Sequence, residues 1–180
     1  MNLTKYFHDF QSKRILIVGD AIIDTYLWGE IHRMSPEAPV PVVDVAVNQN
    51  DSRLGGAANV ALNLKELAAE SILCTVIGND NRGILFEQLM QEQGLSLDGM
   101  LISNGRKTTT KTRVIADNKH QLRIDEEDTY PIKVEHQFYN LIQKLTHNID
   151  AIILQDYNKG VLTENIIEKI ILLANSKNIP

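Results

Sequence analysis

Three aliphatic runs of one form constrain this chain more than any other feature. "RILIVGD" (14–20), "SILCTVIGND" (71–80) and "DAIILQDYNKG" (150–160) are each short, apolar and closed by a polar tip. An unbroken aliphatic run of this length suits a strand buried on both faces, as in a parallel sheet. Parallel neighbours need a crossover of a dozen or more residues, usually a helix. Helical patterns stand where those crossovers are required. "GGAANVALNLKELAAE" (55–70) is rich in helix formers. "NRGILFEQLMQEQG" (81–94) sets Leu85 and Leu89 one turn apart and closes on Gly94, a C′ residue. "VEHQFYNLIQKL" (134–145) aligns Val134, Phe138, Leu141, Ile142 and Leu145 on one face. "TENIIEKIILLANSKN" (163–178) opens on Thr163 as N-cap, with Glu164 in the first turn. The alternation specifies an α/β domain with a mainly parallel sheet.

Two stretches break the alternation. In "IIDTYLWGEIHRMSPEAPVPVVDVAV" (22–47), Pro36, Pro39 and Pro41 remove backbone donors and exclude a helix interior or a central strand. Val40, Val42 and Val43 still favour extended backbone, so the segment reads as an edge strand or clasp. "TTTKTRVIADNKHQLRIDEED" (108–128) reads as a hairpin around "ADNK". Together they predict a small separate sheet from segments 22–47 and 108–126. No repeat or low-complexity tract divides the chain. "NSKNIP" stands where a helix hands over to a next strand, so residues 1–180 read as the N-terminal part of a single domain, incomplete at its C-terminus.

Totals exclude several classes. A net charge of −5 argues against general nucleic-acid binding, which needs a basic face. The single cysteine, Cys74, lies in an apolar run and reads as a small buried hydrophobe, and no disulfide framework is available. The polar, mixed-charge N-terminus does not read as a signal peptide, and the aliphatic runs are too short to span a bilayer. The expectation is a cytoplasmic protein with no membrane partner. His8, His32, His120, His136 and His147 are scattered without metal-ligand spacing, so no metal centre is expected.

Several residues could carry chemistry. In "LGGAAN", Gly55 and Gly56 allow unusual dihedrals and close ligand approach before a helix N-terminus. A tight loop that packs helix on sheet is the plainer alternative. Asp20 and Asp24 of "GDAIID" follow the first strand, and ligands of open α/β sheets bind beyond strand C-termini. An acid there can hold sugar hydroxyls, or Asp20 can cap a turn. Asn79, Asp156 and Lys159 occupy equivalent tips. Lys111 and Arg113 share a strand face, with Arg123 on the return strand of the hairpin. Three such cations can bind phosphate through charge-assisted bonds. They can equally form a solvated face paired with Asp117, Asp125 and Glu126. G-x-x-x-x-G-K-[ST], G-x-G-x-x-G and G-x-S-x-G are all absent.

Taken together, "GDAIIDTYLWG", "RMSPEAPVPVV", "GGAANVALNL" and "QDYNKG" resemble the ribokinase-like carbohydrate kinases, the B-type phosphofructokinase family. "SPEAPVPV", with the preceding "GD", is similar to the heptose 7-phosphate kinases of bacterial lipopolysaccharide synthesis, often the first half of a bifunctional kinase/adenylyltransferase. The similarity runs from about Arg14 to Pro180. It implies a doubly wound sheet flanked by helices, with a small β-sheet lid over the sugar. It implies ATP and Mg²⁺ for the full-length kinase and a sugar-phosphate substrate, while the exposed edges of a small sheet predict a homodimer built at least partly from segments 22–47 and 108–126. By similarity Asp20 and Asp24 orient sugar hydroxyls, and Gly55, Gly56 and Asn59 line the same pocket. Asp156 and Lys159 are further substrate-binding candidates. Lys111, Arg113 and Arg123 are assigned to the phosphate from charge and placement.

The departure is that the family's G-A-G-D, whose aspartate takes the hydroxyl proton, occurs nowhere in these residues. No catalytic base is therefore expected before Pro180, and this stretch alone is expected to be inactive. Two other readings stay open: a kinase of another sugar, or a non-catalytic sugar-phosphate-binding or dimerisation module.

Overall fold

The computed structural model describes residues 8–46 and 50–180. The polar opening residues 1–7 and Val47, the last residue of the first expected lid segment, lie outside the described residues. Four strands form a sheet in the order β6-β5-β1-β9: β1 Arg14–Gly19, β5 Glu70–Gly78, β6 Met100–Ser103 and β9 Ala151–Gln155. All of its pairings are parallel. Side chains alternate between two layers, as period two requires. Leu16, Val18, Ile72, Cys74 and Val76 pack with helices α3 (Glu135–Leu145) and α4 (Glu164–Ser176). Ile17, Leu73 and Ile77 pack with helices α1 (Ala57–Glu66) and α2 (Asn81–Glu92). Helices cover both faces, the doubly wound arrangement expected. Burial pushes the Cys74 thiol up to about 12, so it serves as core.

A second sheet contains β3-β2-β7-β8, with β4 also paired to β2. Its members are β2 Ala21–Met34, β3 Pro41–Val45, β4 Asp51–Gly56, β7 Thr110–Ala116 and β8 Lys119–Glu126. β2 runs 14 residues because both β4 and β3 share one of its edges while β7 takes the other. Pro36 and Pro39 lie in the bend between β2 and β3, and Pro41 opens β3 opposite Met34. All three avoid positions that need an inner ladder donor. Asp117 and Asn118 turn the β7–β8 hairpin, both at positive φ (52° and 60°), which matches the right-handed twist of the flanking strands.

Boundaries moved in places. "DSRLGG" is strand, so α1 begins at Ala57, two residues later than the pattern indicates. It also ends at Glu66, because Ala68 turns left-handed (φ 63°) and the Glu70 N–H already bonds to the Lys13 carbonyl at the start of β5. β6 was not foreseen, since "MLIS" is too short to carry a period. Gly94 (φ 60°) and Thr163, whose Oγ1 accepts from the Ile166 N–H at 3.2 Å, stop and start their helices as read.

Phe138 is fully buried in the α3–α4 layer, whereas Val40 is 51% exposed at the hairpin bend. Phe138→Ala should cost about 3–5 kcal/mol. Val40→Ala should stay within about 0.5 kcal/mol. Urea unfolding of the two variants checks the contrast.

Candidate functional site

The site begins at a corner. Only Asp20 separates β1 from β2, so one residue carries the chain from the parallel sheet into the second sheet. Gly19 must precede it: a Cβ there would lie 2.0 Å from the Gln155 carbonyl oxygen. The Asp20 N–H donates to the Gln155 carbonyl at 3.1 Å, and its own carbonyl accepts from Ala57 at 2.9 Å. Its side chain is 1% exposed. Oδ2 accepts from the N–H groups of Tyr157 (2.8 Å) and Lys159 (3.1 Å), and Oδ1 from Val161 (3.2 Å). Burial pushes its carboxyl pKa up, and these three N–H groups pull against that rise. The carboxylate thus organises the loop after β9, the turn-capping role left open in the sequence.

Arg106, also buried, grips the same loop from the other side. Its guanidinium donates to the Tyr130 carbonyl at 3.1 Å and to the Lys159 carbonyl. The Lys159 backbone is therefore bonded through both its N–H and its C=O.

The paired glycines have steric causes. Gly55 and Gly56 lie opposite Ile22 and Ala21 in the β2–β4 ladder. A Cβ on Gly55 would fall 2.3 Å from Asp24 Oδ2, so glycine leaves room for that carboxylate above β4. Gly56 has φ 58°, and a Cβ there would meet the Asp20 carbonyl at 2.4 Å. Gly56 caps α1, whose first turn presents Asn59, exposed. The opposite Asp24 oxygen, Oδ1, faces Arg113 Nη1 at 2.6 Å.

Strand register gathers the charges onto one face. Asp24 is opposite Lys111 and Tyr26 opposite Arg113 between β2 and β7. Lys111 is opposite Asp125 and Arg113 opposite Arg123 between β7 and β8. Residues directly opposite project to the same side. Lys111 Nζ reaches Asp125 Oδ2 (3.3 Å) and Glu127 Oε2 (3.2 Å), and Lys159 Nζ reaches Glu127 Oε1 (2.9 Å). Arg123 binds Asp125 with two bonds, at 2.8 and 2.9 Å, but its side chain is 55% exposed. Tyr26 lies 5.5 Å from the Arg53 guanidinium and 5.3 Å from that of Arg113, ring centroid to carbon.

Of the sequence-chosen residues, the structure brings together Asp24, Gly55, Lys111, Arg113 and Lys159, with Arg123 at the rim. Asp156 stands apart, exposed, accepting from the Asn158 N–H at 2.6 Å within its own turn. Asn79 bonds Asn104 at 3.0 Å. The expected acid partners also divide: Asp125 joins the cluster, Glu126 pairs with Arg82 at 3.0 Å, and Asp117 sits in the hairpin turn. Sequence reasoning missed Glu127, Arg106 and Asp80. Asp80 caps α2 through Gly83 N–H (2.7 Å) and holds Thr108 N–H (2.9 Å), fastening β5 to the entry of β7. The aspartate directly before the 81–94 helical pattern was the available signal for that cap.

Chemically, the Asp24 carboxylate, paired with Arg113, is able to accept hydrogen bonds, and the cations beside it are able to neutralise an anion. The polar tips of the parallel sheet thus adjoin the charged face of the second sheet. The carbohydrate kinase from Agrobacterium tumefaciens matches with TM-score 0.66 at 21% identity, over 93% of this chain and 52% of that one. Arabidopsis thaliana ribokinase complexed with ribose and ATP matches with TM-score 0.64 at 16% identity, over 94% and 52%. At these identities the likeness establishes the fold. Residues 12–180 match the pfkB family carbohydrate kinase model, and the chain belongs to that family. It is 45% identical to the bifunctional protein HldE of Helicobacter pylori over 165 residues, 91% of this chain and 35% of that protein. Identity to HldE of Pelobacter propionicus is 38% over 181 residues, 99% of this chain and 37% of that protein. The chain thus spans just over a third of the length of these relatives.

The ion pairs carry a pH signature. Lys159 and then Lys111 hold the Glu127 carboxyl below its usual range, and Arg123 and then Lys111 do the same for Asp125. A depressed folded-state pKa contributes stability above the unfolded value, lost as pH falls through the folded value. Stability should therefore drop on acidification below the ordinary carboxylate range, and Asp125→Asn should flatten that drop. Urea midpoints measured across acidic pH for both proteins check it.

Proposed function

We propose that the chain is the sugar-binding and lid portion of an ATP-dependent kinase that phosphorylates D-glycero-D-manno-heptose 7-phosphate at O1, in ADP-heptose and lipopolysaccharide core biosynthesis. The observation that carries this reading is one sheet face on which the Asp24 carboxylate adjoins Arg113, with Lys111, Arg123 and the loop residue Lys159 beside them. A carboxylate for hydroxyls next to a cationic group for phosphate suits a phosphorylated sugar better than a neutral one. The family membership and the HldE relatives support the same direction.

In this reading Asp24 accepts hydrogen bonds from sugar hydroxyls and orients the ring, while Arg113 keeps that carboxylate aimed. Asp20 acts as a positioning residue through the 157–161 loop. Gly55, Gly56 and Asn59 line the hydroxyl side, and Lys111, Arg113, Arg123 and Lys159 supply the charge opposite the phosphate. ATP supplies the transferred phosphoryl group and Mg²⁺ neutralises it. Among the described residues no group of three or more His, Cys, Asp or Glu could hold a metal ion. Mg²⁺ bound with a nucleotide needs only one or two carboxylates beside the phosphates, and we assign that site and the base to other residues of the full-length protein. The cytoplasm, where ATP and sugar phosphates are found, is the compartment we assign.

The test is ATP consumption with heptose 7-phosphate. Full-length protein should turn over, and residues 1–180 alone should not, since a general base contributes roughly 10²–10⁴-fold. Lys111→Ala, Arg113→Ala and Arg123→Ala should each weaken sugar-phosphate binding about tenfold, one charge-assisted contact apiece. Unchanged affinity in all three would refute the phosphate assignment.

A dimer through the second sheet has its own support. Val43 is opposite Ile31, Val45 opposite Gly29, and Ile124 and Leu122 opposite Thr112 and Val114. Register thus places an apolar stripe on the face away from the charges, with Leu122 50% and Ile124 48% exposed. Exposed apolar sheet surface of this kind favours a symmetric partner. Val43→Lys and Ile124→Lys should shift sedimentation toward monomer, and no shift for either would count against this interface.

A further inference from the structure

We infer that Lys111 and Lys159 form a seat for a dianionic phosphoryl group, and that Glu127 occupies it as a built-in competitor when no ligand is bound. The inference rests on the sugar-phosphate reading and narrows it. Two ammonium groups from different elements converge on one carboxylate, each on its own oxygen: Lys159 Nζ on Oε1 at 2.9 Å and Lys111 Nζ on Oε2 at 3.2 Å. Their side chains are 15% and 16% exposed, the most enclosed cations of the cluster. Two oxygens of a phosphoryl group can replace the two carboxylate oxygens, bringing a second negative charge to a pair of cations whose other carboxylate, Asp125, reaches Lys111 alone, at 3.3 Å.

The lysines are held at the backbone, whereas Glu127 lies outside any strand ladder. Lys111 lies inside β7, paired on both edges. The Lys159 backbone is held by Asp20 on its N–H and by Arg106 on its C=O. Glu127 follows the end of β8 in a segment with neither strand nor helix. The next residue, Asp128, is anchored by the Lys107 N–H (2.8 Å) and the Tyr130 hydroxyl (3.0 Å). Rotation of the Glu127 side chain therefore empties the seat without moving the backbone around it. The other cations are less enclosed and pair elsewhere when no ligand is bound: Arg113 with Asp24, and Arg123, at the rim, with Asp125.

If Glu127 were only a latch between the β8 end and the 157–161 loop, its removal would loosen the lysines and weaken anion binding. A competitor gives the opposite sign. Inorganic phosphate is titrated calorimetrically into full-length wild type and Glu127→Gln, with urea midpoints confirming that both fold. Losing two partly exposed ion pairs to the competitor should tighten phosphate about three- to tenfold. Lys159→Met or Lys111→Met in the Glu127→Gln background should abolish that gain. Lys159→Met in an otherwise wild-type chain should lose phosphate binding, which tests the seat without changing Glu127. Unchanged or weaker binding by Glu127→Gln overturns the competitor, while turnover with heptose 7-phosphate keeps the kinase reading intact. Tighter binding without such turnover upholds the seat and overturns the kinase reading. Displacement of bound phosphate by a sugar phosphate and not by ADP gives the seat to the sugar. Displacement by ADP alone would give it to the nucleotide and overturn the narrowing drawn here.

Discussion

The structure depends on how one buried carboxylate is satisfied. Asp20 stands at the only covalent passage from β1 to β2, and an uncompensated carboxylate at 1% exposure would be costly. Three backbone N–H groups from the loop after β9 meet it. The main chain of the same residue bonds Gln155 and Ala57. The strand of one sheet, the root of the other, the start of α1 and the 157–161 loop are thereby fixed at a single point. Arg106 completes the arrangement by taking the carbonyls of Tyr130 and Lys159. The price of burying Asp20 is offset by the loop it organises, and that loop presents Lys159.

Magnitude separates what holds the fold from what the charged face is for. Partly exposed ion pairs contribute about 0–1 kcal/mol each, less with salt. A single buried aromatic such as Phe138 outweighs several of them. The cluster of Asp24, Arg113, Lys111, Asp125, Glu127 and Lys159 therefore adds little to stability for the constraint it imposes. Constraint of that kind suits a preorganised ligand site, where fixed charges need no rearrangement on binding. Period-two alternation lets the same strands carry apolar residues on the reverse face, so one thin sheet holds two surfaces of opposite character.

Much of this was legible before any coordinates. The three aliphatic runs became β1, β5 and β9, and the helices at 81–94, 134–145 and 163–178 appeared within two residues of their read limits. Both interruptions supplied strands of the second sheet, because prolines and a two-residue turn leave few alternatives. Local pattern was blind to what tertiary contact decides. β4 hides in "DSRLGG", since two glycines read as a loop until β2 lies alongside. The partners of the hairpin cations could not be chosen among Asp117, Asp125 and Glu126 from spacing alone, and Glu127 was missed. Alternation gave Asp125, sent Glu126 to Arg82, and only the folded loop brought Glu127 to Lys111 and Lys159. Asp20 shows the same limit: its position at a strand tip suited either sugar or turn, and three long-range N–H contacts define its place.

An occupied seat also changes what recognition can mean here. Binding at Lys111 and Lys159 is an exchange, in which each new contact is set against the one Glu127 gives up. A neutral hydroxyl group cannot make that exchange, because it would take the Glu127 carboxylate from both ammonium groups and leave Lys111 only the 3.3 Å contact to Asp125. A monoanion would only match Glu127. A dianionic phosphoryl group exceeds it, so discrimination arises from the resident competitor as much as from the attraction, which is how specificity is obtained when contacts alone are permissive. The exchange works only if the lysines stay in place while the carboxylate leaves. That requirement returns to the buried corner: Asp20 and Arg106 hold Lys159 at the backbone, β7 holds Lys111 in its ladder, and Glu127 follows the end of β8 outside any ladder.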